Sequence, residues 1–253
     1  MIEKQYDKVD LKIFDTRAEM GRVAAEEAAS CLRELLEKEP EINCIFAAAP
    51  SQSEFLEELC NQPGIDWTRV NGYHMDEYVG LSLGHEKSFN HFLSESIFNK
   101  VPFKSANLID GSRPVEEETA RYGQLLRNAP THVTFMGIGE NGHIAFNDPP
   151  VADFEDKEVI KKVKLDLVCR QQQVHDKCFD TLDEVPEYAL TVTVPRLMAS
   201  QYIFCIVPSD KKHDATVAAL TGPVSTACPA SILRRTDNVR MYIDKACAGD
   251  LAK

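Results

Sequence analysis

Three stretches of this chain bring together side chains that trade protons and backbone that lets a ligand come close. Met136 to Asp148 reads Met-Gly-Ile-Gly-Glu-Asn-Gly-His-Ile-Ala-Phe-Asn-Asp. Its glycines, Gly137 and Gly139 among them, admit a ligand to the main chain. His143 can take or give a proton near neutral pH, and Asp148 lies near enough in sequence to orient the imidazole. Upstream, Asp76 and Glu77 are adjacent carboxylates. Residues that follow each other on a strand face opposite ways, so one of the two faces a site and the other pairs elsewhere. Asp76 is the candidate base. Ser51-Gln52-Ser53 follows Pro50 at a helix start, where serines cap the helix or its free N–H groups hold an anion. Lys211 follows a buried strand. This is equipment for acid–base chemistry on a small phosphorylated molecule: Ser51, Ser53 and Lys211 for the phosphate, and Asp76 with the His143–Asp148 pair for the protons.

Such groups need strand ends to carry them. Apolar, β-prone runs are expected as strands at Leu11–Phe14, Asn43–Ala49, Arg69–Glu77, Asn107–Asp110, Thr131–Phe135, Val159–Leu165, Tyr188–Val194, Tyr202–Val207 and Val239–Ile243. Between them, helical spacing runs from a cap at Asp15 or Thr16 through Met20, Ala24, Ala28, Leu32 and Leu36. Further helices are expected from Ser51 through Leu59, over Phe89–Phe98, over Val115–Asn128, and beyond His213. Arg121, Tyr122 and Arg127 read as surface features of the Val115–Asn128 helix. The alternation predicts one α/β domain over residues 1–253: an open, mostly parallel, doubly wound (Rossmann-like) sheet with helices on both faces. In such sheets ligands bind beyond the carboxyl ends of the strands. The polar stretch over 151–183 reads as a surface excursion or as a lid beside the site.

The chain has 253 residues, 43% hydrophobic and 27% charged, with a formal net charge of −12. That balance suits a globular protein and argues against a nucleic-acid partner, which calls for a basic face. Eight cysteines without a C-x-x-C pair predict free thiols in a reducing compartment and no zinc site. No apolar run nears the ~18 residues of a membrane span, and Met1 to Asp10 lacks the apolar core of a signal peptide. A cytoplasmic protein without a membrane partner is expected. No metal pattern, Walker loop or G-x-G-x-x-G turn near the first strand is present, so no cofactor is expected.

His74-Met-Asp-Glu-Tyr-Val-Gly-Leu81, Phe135 to Pro149, and Val185-Pro-Glu-Tyr-Ala-Leu-Thr-Val192 closely resemble the glucosamine-6-phosphate deaminase family, in order and over nearly the whole chain. The related 6-phosphogluconolactonases carry D-E-R and D-G-H-T where this chain has Asp76-Glu77-Tyr78 and Asn141-Gly142-His143-Ile144. The resemblance implies a sugar-phosphate substrate and a division of labour. His143, assisted by Asp148, opens the pyranose ring. Asp76 takes the C2 proton and returns it at C1, and the resulting imine or carbinolamine loses ammonia to leave fructose 6-phosphate. Ser51 matches the hydroxyl of the family's phosphate loop, Lys211 the lysine after the sixth strand, and Lys177 lies near the arginine of the lid. Three positions depart from the pattern. Ala48-Ala49-Pro50-Ser51 replaces T-G-G-T/S, and proline supplies no N–H, so the anion leans on Ser51, Gln52, Ser53 and Lys211. Asn141 stands for an aspartate and Asp148 for a glutamate. The alternatives are a galactosamine-6-phosphate isomerase, a lactonase, or a phosphosugar-binding protein with weakened catalysis. The resemblance allows a homo-oligomer, and no residue fixes the quaternary state.

Overall fold

Strands that are buried on both faces must split their side chains between two cores, and most strands of this protein do so. In the computed structural model, which describes residues 1–253, the strands are β1 (Ile2–Tyr6), β2 (Val9–Phe14), β3 (Ile42–Phe46), β4 (Val70–His74), β5 (Asp76–Tyr78), β6 (Ser105–Asn107), β7 (Val133–Met136), β8 (Ile160–Lys164), β9 (Tyr188–Val192), β10 (Tyr202–Val207) and β11 (Val239–Asp244). Eight of them form one sheet in the order β1-β2-β11-β10-β7-β3-β4-β6. All pair in parallel except β1, which is antiparallel to β2. The expected architecture is the one observed.

The helices are α1 (Arg17–Lys38), α2 (Ser53–Cys60), α3 (Phe89–Leu93), α4 (Val115–Asn128), α5 (Leu167–His175), α6 (Val194–Met198), α7 (His213–Thr221) and α8 (Lys245–Ala248). Thr16 starts α1 by accepting a hydrogen bond from the Glu19 N–H. Along β10, Phe204 and Ile206 point to one core with α1 and α2, while Ile203, Cys205 and Val207 point to the other with α6 to α8. On the first face a row of rings crosses five adjacent strands. Centroids lie 5.0 Å apart for Phe46–Phe135, 5.6 Å for Phe135–Phe204, 6.1 Å for Phe204–Tyr242 and 6.4 Å for Phe14–Tyr242. The row sits on matched register, Phe46 opposite Phe135 and Phe135 opposite Phe204. Spacings of this kind add favourable ring–ring contact to the area buried.

The structure differs from the sequence reading in four places. The polar start of the chain forms a hairpin, because Val9, Leu11 and Ile13 pack inward while the alternate residues face water. The third expected strand breaks at Met75: β4 ends at His74, and β5 leaves for a separate three-stranded antiparallel sheet, β5-β9-β8. The run at Tyr188–Val192 therefore belongs to that small sheet and not to the main one. Tyr122 is fully buried: its hydroxyl donates to the His74 carbonyl at 2.7 Å and accepts the His74 N–H at 2.9 Å. Arg121 pairs with the buried Glu118 instead of lying free on the surface.

Phe135 sits between Phe46 and Phe204 in the row and is about 1% exposed. Phe135→Ala is expected to destabilise the fold by about 3–5 kcal/mol, read as a lower urea midpoint at unchanged slope.

Candidate active site

The strand order reverses between β3 and β7. From β3 the chain moves outward to β4 and β6, whereas β7 lies on its other side and leads to β10 and β11. The loops after β3 and β7 therefore part at their carboxyl ends, the place where open α/β sheets hold ligands. A cleft with about 560 Å³ of empty space, continuous with solvent, lies there, lined from Ala47 to Gln52, by Gly137, Ile138 and Gly139, and by Asp76, His143, Gln172, Gln173, Asp176 and Lys212.

Asp76 and Glu77 divide as strand alternation requires. Asp76 lines the cleft. Glu77 turns away and is fully buried, its carboxylate accepting the N–H groups of Tyr78, Phe89 and Asn90 and the Asn90 side-chain amide at 2.8–3.1 Å. The start of α3 is thereby tied to β5. Burial pushes the Asp76 carboxyl well above the usual carboxylate range, and the neighbouring Glu77 adds to it. Burial pushes Glu77 up to about 7 against the pull of its donors. His74 is likewise sealed in: its Nε2 accepts the Ile109 N–H at 2.7 Å, and burial drives its pKa down to about 3. It stays neutral and holds a turn.

The turn after β7 folds back on itself. Gly139 N donates to the His143 carbonyl at 3.0 Å, and a Cβ at Gly139 would fall 2.1 Å from the His143 ring. Glycine is required at 139 for the ring to occupy its place. His143 Nδ1 lies 2.8 Å from Asn141 Oδ1 and 3.0 Å from Asp148 Oδ1. Both neighbours present acceptors, so Nδ1 carries the proton and Nε2 keeps its lone pair for a ligand in the cleft. Asn141 serves as a hinge in this network, since its Nδ2 donates to Asp148 at 3.1 Å while its Oδ1 accepts the His143 N–H at 3.1 Å. Burial alone would raise the Asp148 carboxyl. His143, Asn141 and the Asp166 N–H, 3.1 Å from Asp148 Oδ2, outweigh it and hold Asp148 below the usual range.

Over residues 15–242 the chain matches the model of the family described as glucosamine-6-phosphate isomerases/6-phosphogluconolactonase. The chain belongs to this family of enzymes. It is 33% identical over 207 residues to a glucosamine-6-phosphate deaminase of Streptococcus equi subsp. zooepidemicus, spanning 81% of this chain and 86% of that protein. The corresponding protein of Streptococcus pyogenes serotype M1 is 32% identical over the same length. A solved monomeric glucosamine-6-phosphate deaminase superposes with a TM-score of 0.84 at 25% identity, covering 94% of this chain and 98% of its own. A 6-phosphogluconolactonase from Thermotoga maritima shares the fold, with a TM-score of 0.75 at 17% identity over 94% of this chain and all of its own.

Against this family background, the cleft collects some of the residues singled out in the sequence and passes over others. Asp76, His143, Ser51, Gln52, Gly137 and Gly139 line it, with Asn141 and Asp148 behind the imidazole. Ser53 is exposed at the first position of α2, outside the lining. Lys211 is exposed, and its ammonium donates only to the His175 carbonyl, at 3.5 Å. Its neighbour Lys212 enters instead. A 3₁₀ turn over Asp210–Lys212, capped by Ser209, rotates Lys212 inward, where its ammonium is buried without a hydrogen-bond partner and lies 4.0 Å from Asp176. Burial lowers the Lys212 pKa. Lys177 is exposed with a φ of 59° and lies outside the lining, whereas its neighbour Asp176 reaches the cleft. The sequence signal for Lys212 was present in the pair Lys211-Lys212, but only the turn decides which one points in. Gln172 and Gln173 enter from α5. Gln172 Oε1 accepts the Glu140 N–H at 2.7 Å, and Gln173 Oε1 accepts from the Tyr78 hydroxyl at 2.8 Å.

Gly139→Ala forces the His143 ring away from its seat without touching any proton-transfer group. A displacement near 1 Å costs on the order of 10²-fold in rate. Turnover is expected to fall by at least that factor while the thermal melt stays within a few degrees of the parent; full activity would show that the ring's position is immaterial.

Proposed function

We propose that this protein is an aminosugar-phosphate deaminase/isomerase that converts glucosamine 6-phosphate to fructose 6-phosphate and ammonia without a cofactor. The observation that carries this reading is the convergence of Asp76, His143 and Lys212 on one cleft. In this reading Lys212, the Ser51 hydroxyl and the N–H groups after Pro50 hold the phosphate, and the partnerless ammonium of Lys212 gains its missing acceptor. His143 Nε2 takes the proton of the anomeric hydroxyl and returns it to the ring oxygen, which opens the ring. Asp76 then removes the C2 proton and delivers it to C1. The shift leaves an imine at C2, water adds to it to give a carbinolamine, and ammonia departs from that. A carboxylate drawn out of water is a stronger base than a solvated one, which suits abstraction from carbon. The segment over 151–183 serves as a lid, since it contributes Gln172 and Gln173 from α5 and Asp176 just beyond it to the cleft wall.

Purified protein given glucosamine 6-phosphate is expected to release ammonia and fructose 6-phosphate in equal amounts. Silence there, with turnover of galactosamine 6-phosphate or of 6-phosphogluconolactone in a parallel panel, would move the assignment to those related reactions. Asp76→Asn keeps the size and removes the base, so exchange of the C2 proton with solvent deuterium is expected to stop while sugar phosphate still binds. Exchange at the parental rate would sink the role given to Asp76.

The pH profile follows from the two buried charges. Asp76 works ionised and its pKa is raised, so the acid limb of kcat/KM is expected well above the ~3.9 of a free aspartate. Lys212 works protonated and its pKa is lowered, so the alkaline limb is expected below the ~10.4 of a free lysine. The bell is narrowed from both sides. An acid limb near 4 in the parent enzyme would contradict the buried base.

A further inference from the structure

We propose that His143, Asp148 and Cys169 form a binding site for a thiophilic divalent cation, Zn²⁺ in particular, whose occupancy disables the proton-transfer pair. One ligand atom from each of the three residues lies within 4.8 Å of the other two, and all three residues are buried. His143 Nδ1 and Asp148 Oδ1 are already 3.0 Å apart. Around a tetrahedral Zn²⁺ with bonds of about 2.0–2.3 Å, donor atoms are roughly 3.3–3.6 Å apart, so the cluster closes with shifts of roughly 1 Å. One imidazole, one thiolate and one carboxylate favour Zn²⁺ over Mg²⁺ or Ca²⁺, which take oxygen donors.

A buried cysteine in most proteins is a small packing residue. Cys169 differs because its thiol lies within 4.8 Å of a ligand atom of both His143 and Asp148. Two outer groups hold the set in place, Asn141 Nδ2 and the Asp166 N–H on the Asp148 oxygens. His143 alone of the three lines the cleft, so a metal reaches the cluster past its imidazole. On binding, the Cys169 thiol gives its proton to the buffer as the metal–sulfur bond forms. The Nδ1 proton moves to Nε2, so the imidazole has no lone pair left for substrate. The metal would also tie α5, which carries Cys169, to the turn that carries His143.

Titration of Co²⁺ into the full-length protein is expected to give a thiolate-to-cobalt charge-transfer band with the intense d–d absorption of a tetrahedral ion, displaced by Zn²⁺ and abolished by a chelator. Cys169→Ala, and Cys169→Ser as a variant that keeps the size, are expected to lose the band and to bind Zn²⁺ at least ~10-fold more weakly by calorimetry. Both are expected to fold as the parent does, by circular dichroism. Zn²⁺ is expected to inhibit the parent and to leave the two variants active. A band that persists in both variants, or equal Zn²⁺ affinity in parent and variants, would overturn the site. These readouts stand whether or not glucosamine 6-phosphate proves to be the substrate.

Discussion

The reversal of strand order between β3 and β7 is the constraint on which the rest of the structure depends. Parallel strands cannot be joined by tight turns, so each connection crosses over one face of the sheet. Where two neighbouring strands send their crossovers in opposite directions, nothing covers the gap between their carboxyl ends. The aromatic row beneath keeps β3, β7 and β10 in register. The Ala47–Gln52 loop and the Gly137–His143 turn therefore face each other across a fixed crevice. Gly137 keeps that crevice narrow: a Cβ there would lie 3.1 Å from the Gln52 amide nitrogen.

Placing charge in so enclosed a space is costly, and the structure meets the cost differently for each group. Glu77 and Asp148 are each wrapped in hydrogen-bond donors. Asp76 and Lys212 have far less support, and burial moves both toward neutrality. The supported carboxylates hold other parts in place. The less supported groups are those that face the cleft, where a ligand can supply what the protein withholds. The acids that brace the structure are thus kept apart from the one that faces the cleft.

Helix α5 joins the two halves of the site. It starts at Asp166, whose N–H holds Asp148, and proceeds through Cys169 to Gln172 on the Glu140 N–H and Gln173 on Tyr78. The turn bearing His143 and the strand bearing Asp76 thus share one helix as a common wall. Any movement of α5 is felt by both, and a metal on Cys169 would restrict it.

The sheet, the parallel order and the polarity of the site were legible in the sequence because they rest on local signals. Period-2 and period-3.6 burial, the Thr16 cap, and the glycines of the β7 turn each act within a few residues. Asp76, His143 and Asp148 were legible for the same reason, since the motifs around them are dense and specific. The opposed faces of Asp76 and Glu77 followed from strand geometry alone. Tyr122 was not legible, because its hydroxyl is satisfied by His74, 48 residues away. Nor was the break at Met75, beyond which β5 pairs with β9, a strand far along the chain, and not with the main sheet. The choice of Lys212 over Lys211 rests on one short turn, and the meeting of Cys169 with His143 rests on the docking of α5. The sequence by itself determined which chemical groups were available and which strand ends would carry them. Tertiary structure alone decided which of those groups face one another, because that depends on contacts between segments far apart in the chain, where local propensity carries no information.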